Sequence, residues 1–285
     1  MIRLIGILIG LGFTFAVLWA FGTGATAVIS QGYFVEPTAE IEFHKEPKEL
    51  VQASDGPFGK WDYAQLQRGY QVYHEVCSAC HSLKYVAIRD LSELTYTPAE
   101  VKAIAAGLTV PGIDPTTGET NTRPGIPTDY FPSPYANDTM ASGANGGKIP
   151  PDLSLMTKAR EGGAAYVYSI LTGYQPQPAE LLHRFPDAKT PVGGYYNPYF
   201  AALNIGMPPP LADGQVTYAD GTPNTREQMA KDVAAFLTWT AEPSMVKRTQ
   251  TGWAVLVFLL VATILAWLAK QQVWADAKPK RRKEG

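Results

Sequence analysis

The chain has 285 residues, of which 46% are hydrophobic and 18% charged, so its composition is that of a folded protein rather than a disordered one. Charge is distributed unevenly: residues 28 to 246 carry 15 Lys and Arg against 24 Asp and Glu, whereas residues 247 to 285 carry 8 against 2. The acidic body disfavours nucleic acid as a partner and could attract a basic protein, although acidity alone is also typical of a merely soluble domain.

The N-terminal segment is apolar. A basic residue, Arg3, precedes a long apolar run, and residues 4 to 35 contain no charged side chain. With the small-residue pattern ATA that follows, this predicts a secretory signal peptide over residues 1 to 27. The run is also long enough for a retained membrane anchor, so both readings stay open, and either one exports the domain that follows. Residues 28 to 60, rich in Glu, Lys and Pro, predict an extended arm.

The exported domain, residues 61 to 246, begins with a predicted amphipathic helix over residues 62 to 76. Its apolar residues recur at helical spacing. A glycine within a helix costs stability relative to alanine, so Gly69 in this segment indicates close contact with another helix.

Three further helices are predicted in this domain. One begins at the Thr97 cap and stops at Gly107, one covers residues 162 to 174, and the last begins at Thr225 and ends at Pro243. The segments between them, residues 109 to 151 and 175 to 224, show no helical periodicity. Loops of that length are usually functional.

A membrane-spanning helix is predicted over residues 247 to 270. Its central 19 residues, 251 to 269, carry no charge and would span about 28 Å as a helix. Trp253 and Trp267 stand near the two ends, where indole rings favour the membrane interface. The basic tail, residues 271 to 285, should be cytoplasmic, which places the preceding domain outside the cytoplasm.

The two cysteines of the chain, Cys77 and Cys80, are followed directly by His81. The pattern C-x-x-C-H is typical of covalent attachment of c-type haem, with one thioether from each cysteine and the imidazole on the iron. A thioredoxin-like redox pair would need a βαβ context that the pattern does not show, and a zinc site would need four ligands. The motif therefore predicts one haem c.

The second side of the iron needs either an open position or another protein ligand. Met207 is the preferred candidate, because Pro208 to Pro210 stiffen the chain after it and Gly206 permits an unusual backbone before it. His183 is the alternative. Two protein ligands would leave no position for dioxygen, which predicts an electron carrier rather than an oxygen-activating enzyme.

An anionic haem also needs cationic or donor groups. Arg160 lies among glycine and apolar residues in MTKAREGG, so it is a candidate partner for a haem propionate. A surface arginine is the competing reading.

Several blocks of sequence, in this order, resemble the cytochrome c1 family, the haem subunit of the quinol–cytochrome c oxidoreductase (the bc1 complex). These blocks are LQRGYQVYHEVCSACHSLKYVAIRDL, NGGKIPPDLSLMTKAREGGAAYVYSILTGY, YYNPYFAALNIGMPPPL and MAKDVAAFLTWTAEP, followed by one apolar helix and a basic tail. The resemblance implies a mainly α, class I cytochrome c-like haem domain with long loop insertions and a C-terminal transmembrane helix.

The resemblance also implies site residues. Thioethers would come from Cys77 and Cys80, and the axial ligands would be His81 and Met207. The residues that it places near the haem in addition are Arg160 at a propionate, Tyr166 and Asn145. Some family members carry a further cysteine pair in the exported domain, which this chain lacks.

The function implied by the resemblance is transfer of one electron from the Rieske iron–sulfur protein to a cytochrome c. The chain would be an electron-transfer subunit rather than an enzyme by itself, in a dimeric complex with cytochrome b and the Rieske protein, in a bacterial-type cytoplasmic membrane with the haem domain in the periplasm. Two alternatives stay open. One is a free-standing membrane-anchored cytochrome c shuttle to a terminal oxidase, and the other is a haem enzyme or gas sensor with an open iron position.

Overall fold

Helices form most of the regular structure in the computed structural model, which describes residues 2 to 30 and 37 to 275. The α-helices are α1 (Ile2–Ser30), α2 (Ala39–Phe43), α3 (Tyr63–Glu75), α4 (Pro98–Gly107), α5 (Asp138–Ala144), α6 (Met156–Ala159), α7 (Gly163–Thr172), α8 (Ala179–Arg184), α9 (Arg226–Ala241) and α10 (Met245–Val273). The strands are β1 (Thr109–Ile113), β2 (Thr120–Pro124), β3 (Tyr195–Tyr196) and β4 (Asn204–Ile205). The 3₁₀ turns are Cys77–Ala79, Ile88–Leu94 and Pro186–Ala188. The prediction of a mainly helical chain is confirmed.

The predicted helices begin at the caps that the sequence provides. The Asp62 side chain accepts a hydrogen bond from the Gln65 amide at the start of α3. Thr97 and Glu100 form a reciprocal capping box at the start of α4, and the Thr225 side chain caps α9. Such caps satisfy backbone donors that have no partner within the helix. These three starts therefore follow from local sequence.

The loop predicted over residues 109 to 151 contains structure that its composition concealed. Strands β1 and β2 pair as an antiparallel hairpin, and α5 follows later in the same segment. The hairpin closes at Asp114, whose backbone amide donates to Glu119 and whose side chain accepts the amide of Thr116. A hairpin whose turn is closed by an aspartate side chain does not require alternating apolar residues, so the hydrophobic pattern of the sequence did not predict β1 and β2.

Helices α3 and α9 cross at Gly69, as the glycine in α3 predicted. A Cβ built on Gly69 would contact the backbone carbonyl oxygen of Asp232 and lie 2.7 Å from the Cβ of Phe236. Helices α6 and α7 also pack against α9, which is therefore the centre of the domain. Because α3 leads directly into the Cys77–Ala79 turn, this crossing positions the C-x-x-C-H motif.

A buried carboxylate joins the same two helices. The side chain of Asp232, in α9, is fully buried and accepts hydrogen bonds from the side chains of Gln65, Arg68 and Gln228. Arg68 also reaches Asp220, with Nη1 2.7 Å from its carboxylate. A buried charge is tolerated when it is paired and fully hydrogen-bonded, so this cluster fixes the register of α3 on α9.

The arm that precedes α3 packs along α7 in its second half. The backbone amide of Lys48 donates to the Ser169 hydroxyl at 2.7 Å, and its ammonium donates to the Thr172 hydroxyl at 2.7 Å. The Lys45 amide donates to the carbonyl of Pro198 at 2.8 Å. Burial lowers the pKa of Lys48 below its ordinary value. The predicted arm therefore has its own fixed contacts with the domain.

The described residues divide into two units, with the boundary between Glu42 and Phe43. The first contains α1, which is long and apolar enough to cross a membrane and extends three residues beyond the predicted segment 1 to 27. The second unit ends in α10, which is also long and apolar enough to cross a membrane. This helix begins two residues before residue 247, the predicted start of the membrane helix. Most of the predicted tail, from residue 276 onward, lies outside the described residues.

Candidate haem site

The attachment motif folds as one tight turn at the end of α3. The backbone amides of Cys80 and His81 both donate to the carbonyl of Cys77, at 3.1 and 2.9 Å. Neither cysteine is in a disulfide, and both are partly exposed. Two thiols and an imidazole on one turn fit the two vinyl groups and the iron of a single porphyrin.

His81 is oriented by the chain itself. Its Nδ1 lies 2.8 Å from the carbonyl oxygen of Pro151. A carbonyl only accepts, so the proton resides on Nδ1 and the lone pair on Nε2 is free for a metal. Burial lowers the pKa of His81, which favours the neutral imidazole that ligates iron. The Tyr73 hydroxyl donates to the His81 carbonyl at 3.1 Å and holds the backbone of His81 in place.

The segment that carries Pro151 is fixed by Asp152. Its carboxylate accepts hydrogen bonds from the Ser82 hydroxyl at 2.8 Å, the Lys84 amide at 2.9 Å and the Ser154 amide at 3.0 Å. Burial alone would raise the pKa of Asp152, but these hydrogen bonds outweigh it and lower the pKa. Pro151 and Asp152 were not predicted as site residues, although both lie in the sequence block NGGKIPPDLSLMTKAREGGAAYVYSILTGY.

Met207 lies in a loop whose position is fixed by hydrogen bonds from Tyr174 and Asn197. Its side chain is partly buried against the hydrophobic core, and its carbonyl accepts a hydrogen bond from the Tyr174 hydroxyl at 3.0 Å. Burial raises the pKa of Tyr174, so its hydroxyl remains a donor at neutral pH. The buried side chain of Asn197 donates to the Ile170 carbonyl at 2.8 Å and ties the start of this loop to α7. Neither Tyr174 nor Asn197 was predicted as a site residue.

The explanation offered for Gly206 was wrong. Its φ is not in the left-handed region, where Leu203 of the same loop lies at +58°. A Cβ on Gly206 would instead lie 2.8 Å from the Cγ of Lys148, so the Lys148 side chain packs against the glycine and would have to shift for a larger residue.

This close approach links the two halves of the predicted site. Lys148 packs against Gly206, next to Met207, and Pro151 accepts the hydrogen bond from His81. Pro151 is three positions after Lys148, so the chain between the two residues extends to about 11 Å at most. One short segment therefore contacts both the loop of Met207 and the ring of His81, although these two residues are far apart in sequence.

The three additional haem-site candidates occupy different positions. Arg160, at the end of α6, is exposed and makes no ion pair within residues 2 to 30 and 37 to 275; its Nη1 donates to the Ala159 carbonyl at 3.3 Å. Tyr166, in α7, is partly buried and close enough to Tyr174 to contribute to its raised pKa. Asn145 ends α5, where its carbonyl accepts the amide of Lys148 at 3.1 Å. Asn145 is thus connected through Lys148 to the Met207 loop, while Arg160 keeps donors available for an anion.

Other histidines and methionines are placed as follows. The competing ligand His183 is exposed in the last turn of α8. His74 is exposed and stacks on the ring of Tyr70, with 5.8 Å between ring centroids. Met229 is fully buried in α9, as expected of a packing residue, and Met140 is 55% exposed. Within the described ranges, no group of three or more His, Cys, Asp and Glu side chains could hold a metal ion.

A profile of the cytochrome c1 family matches residues 52–277, most of the chain. The chain belongs to the cytochrome c1 family. The resemblance seen in the sequence blocks is therefore confirmed. Cytochromes c1 are the haem subunits of the bc1 complex, so this chain is a c-type cytochrome of electron transport, and its family implies a haem c cofactor.

Similar proteins come from bacteria and mitochondria. Cytochrome c1 of Rhodospirillum rubrum is 47% identical over 237 residues, covering 78% of this chain and 85% of the relative. Cytochrome b/c1 of Bradyrhizobium diazoefficiens is 46% identical over 78% of this chain, which spans only 34% of that longer protein. Mitochondrial cytochrome c1, heme protein, of Saccharomyces cerevisiae is 43% identical over 80% of this chain and 72% of its own length.

Proposed function

We propose that one haem c is attached through thioethers to Cys77 and Cys80, with His81 and Met207 as axial ligands. The observation that carries this proposal is the hydrogen bond from His81 Nδ1 to the Pro151 carbonyl, which leaves Nε2 as the only free ring nitrogen next to the two thiols. When bound, haem c supplies a one-electron ferric–ferrous couple. The residues proposed to surround it are Arg160, Tyr166 and Asn145.

The role of the protein side chains is to hold the ligands and exclude other chemistry. Tyr73 and Pro151 fix the position and tautomer of His81, and Tyr174 fixes the backbone of Met207. Two protein ligands leave no iron position for dioxygen, and a thioether ligand favours the ferrous state and raises the reduction potential. Arg160, exposed and without an acidic partner among the described residues, supplies a guanidinium suited to a propionate.

The proposed reaction is transfer of one electron from a Rieske iron–sulfur protein to a cytochrome c, within a dimeric complex that also contains cytochrome b. Family membership supports it, and one relative has cytochrome b and c1 in its name. The excess of acidic residues in residues 28 to 246 suits a basic acceptor. The chain is thus an electron-transfer subunit and not an enzyme by itself.

The proposed location is a bacterial-type cytoplasmic membrane, with the haem domain in the periplasm and the C-terminus in the cytoplasm. Helix α10 is uncharged from residue 251 to 269, and the residues after it are strongly basic, which favours a cytoplasmic tail. Residues 1 to 27 would be either a cleaved signal peptide or a second anchor, and both routes export residues 61 to 246.

Replacement of Met207 tests the axial ligand. We expect Met207→Leu to keep the haem attached, lower its reduction potential and stop electron flow from quinol to cytochrome c, because the soft sulfur ligand is lost. Potentiometric titration of the purified protein measures the change. Met140→Leu is the matched control, since Met140 is 55% exposed in α5, and its potential should equal that of the wild type. An unchanged potential in Met207→Leu would refute the assignment.

Two further measurements separate this function from its alternatives. Purification in a gentle detergent should recover the chain together with cytochrome b and the Rieske protein, whereas a free-standing shuttle would elute alone. The reduced wild-type protein should bind carbon monoxide poorly, because both axial positions are occupied. Rapid binding would support an open iron, as in a haem enzyme or gas sensor, and would contradict the Met207 ligand.

A further inference from the structure

An exposed aromatic ring is held in a rigid loop before α3. The loop from Ala53 to Lys60 is closed by a hydrogen bond from the Lys60 amide to the Ala53 carbonyl at 2.8 Å. Gly59 has no room for a Cβ, because the backbone carbonyl of Ser54 contacts that position. Phe58, at the tip, is nevertheless 77% exposed. The exposure of this large apolar side chain is therefore imposed by a tightly packed backbone.

The Phe58 loop contacts the beginning of α10. The Phe58 ring stacks on the indole of Trp253, with centroids 5.9 Å apart and planes 8° from parallel. Gln250 Nε2, one turn earlier in α10, reaches the Gly59 carbonyl at 3.5 Å. Trp253 is itself 44% exposed, so the two rings form one continuous apolar surface. This surface joins the haem domain to its C-terminal helix.

The position of Trp253 along α10 indicates how deep Phe58 lies relative to the uncharged, membrane-spanning part of that helix. The uncharged stretch begins at residue 251, so Trp253 lies about 3 Å inside it at the helical rise per residue. The basic residue Lys247 precedes this stretch, and Lys60 is the last residue of the Phe58 loop; both are exposed. Indole rings near helix ends, with lysines outside them, are typical of the boundary between lipid headgroups and acyl chains.

We propose that Phe58 and Trp253 together form a lipid-contacting surface in the outer headgroup region of the bilayer. The partner is the membrane surface itself, because the rings continue the apolar surface of α10 and are flanked by lysines that suit phosphate groups. The surface gives the haem domain a second point of contact with the bilayer beside the helix. It thereby sets the height and tilt of the domain above the membrane.

Site-directed spin labelling tests this contact in the full-length holoprotein. Because the native cysteines are consumed by thioethers in the proposed function, Phe58→Cys would carry a single nitroxide. The protein is reconstituted into vesicles of phosphatidylcholine and phosphatidylglycerol, and collisions with dioxygen and with an aqueous nickel chelate are measured by power saturation. Val192→Cys, on a fully exposed loop tip, is the aqueous control, and Val257→Cys, within α10, is the lipid control.

The proposal expects the label at position 58 to lose nickel accessibility and gain dioxygen accessibility, as at position 257 and unlike position 192. Nickel accessibility at 58 equal to that at 192 would overturn it. Protection at 58 that appears only in the assembled complex would also overturn it, because a partner subunit and not lipid would then cover Phe58. Aqueous accessibility at 257 would overturn the membrane assignment of α10 together with the proposal.

Discussion

Replacing Gly69 by alanine adds a single methyl group at the place where α3 and α9 are closest. The new Cβ would contact the Asp232 carbonyl oxygen and lie 2.7 Å from the Cβ of Phe236, whereas ordinary contacts of a Cβ are 3.4–4 Å. The neighbours are backbone and a Cβ, which cannot rotate away as the end of a long side chain can. The two helices must therefore separate by about 1 Å at a point where the interior is close-packed.

Two opposing effects set the magnitude. Alanine is favoured over glycine within a helix by about 1 kcal/mol. Overpacking a core costs about 1–3 kcal/mol, and backbone contacts place Gly69 at the upper end of that range. We therefore expect Gly69→Ala to lower the free energy of unfolding by about 2 kcal/mol, or the melting temperature by about 4–8 °C for a chain of this size. Because α3 leads into the turn that we propose to attach the haem, we also expect a lower yield of holoprotein.

Thermal unfolding of the purified holoprotein, followed by far-UV circular dichroism, measures the effect. Gly107→Ala is the matched control: Gly107 is the last residue of α4, and a Cβ there meets no atom within 4 Å. We expect this control to be more stable than the wild type by about 0.4–1 kcal/mol. If Gly69→Ala unfolds at the temperature of Gly107→Ala or above, the close approach of α3 and α9 at this residue is refuted.

Two other variants probe the Met207 loop and the base of the membrane helix. Tyr174→Phe removes the hydrogen bond to the Met207 carbonyl, worth about 1 kcal/mol, so carbon monoxide binding to the reduced protein should become about fivefold faster. The Tyr195 hydroxyl has no hydrogen bond among the described residues, so Tyr195→Phe should leave the rate of carbon monoxide binding unchanged. Equal rates in the two variants would contradict the role of Tyr174 in positioning Met207. Burial alone would raise the pKa of Glu242, but its hydrogen bonds, the first of them from Arg248, lower the pKa below that in the unfolded chain. The ionised Glu242 side chain therefore stabilises the fold at neutral pH, and this contribution is lost as the pH falls. The melting temperature of the wild type should therefore fall more between about pH 5 and pH 3 than that of Glu242→Gln, and parallel curves would exclude this contribution.

Some features of this protein were determined by residues close together in sequence. The attachment turn of Cys77 to His81 spans five residues, and its amides close on a single carbonyl, so the motif itself predicted the geometry. The same holds for α4, where Thr97 and Glu100 cap each other, and for α10, whose length and lack of charge indicate a membrane helix. Gly69 was also interpreted correctly, since a mid-helix glycine has few reasons other than close packing.

Other features were decided only when distant segments met. The tautomer of His81 depends on the Pro151 carbonyl, and the Met207 loop depends on the Tyr174 hydroxyl, and neither partner lies near its residue in sequence. Gly206 was assigned an unusual backbone but serves a contact with another loop. Caps and helical periodicity act over a few residues, and the sequence records them directly. A hydrogen bond between loops depends on how the whole chain closes around α9, so only the tertiary structure shows which donor meets which acceptor.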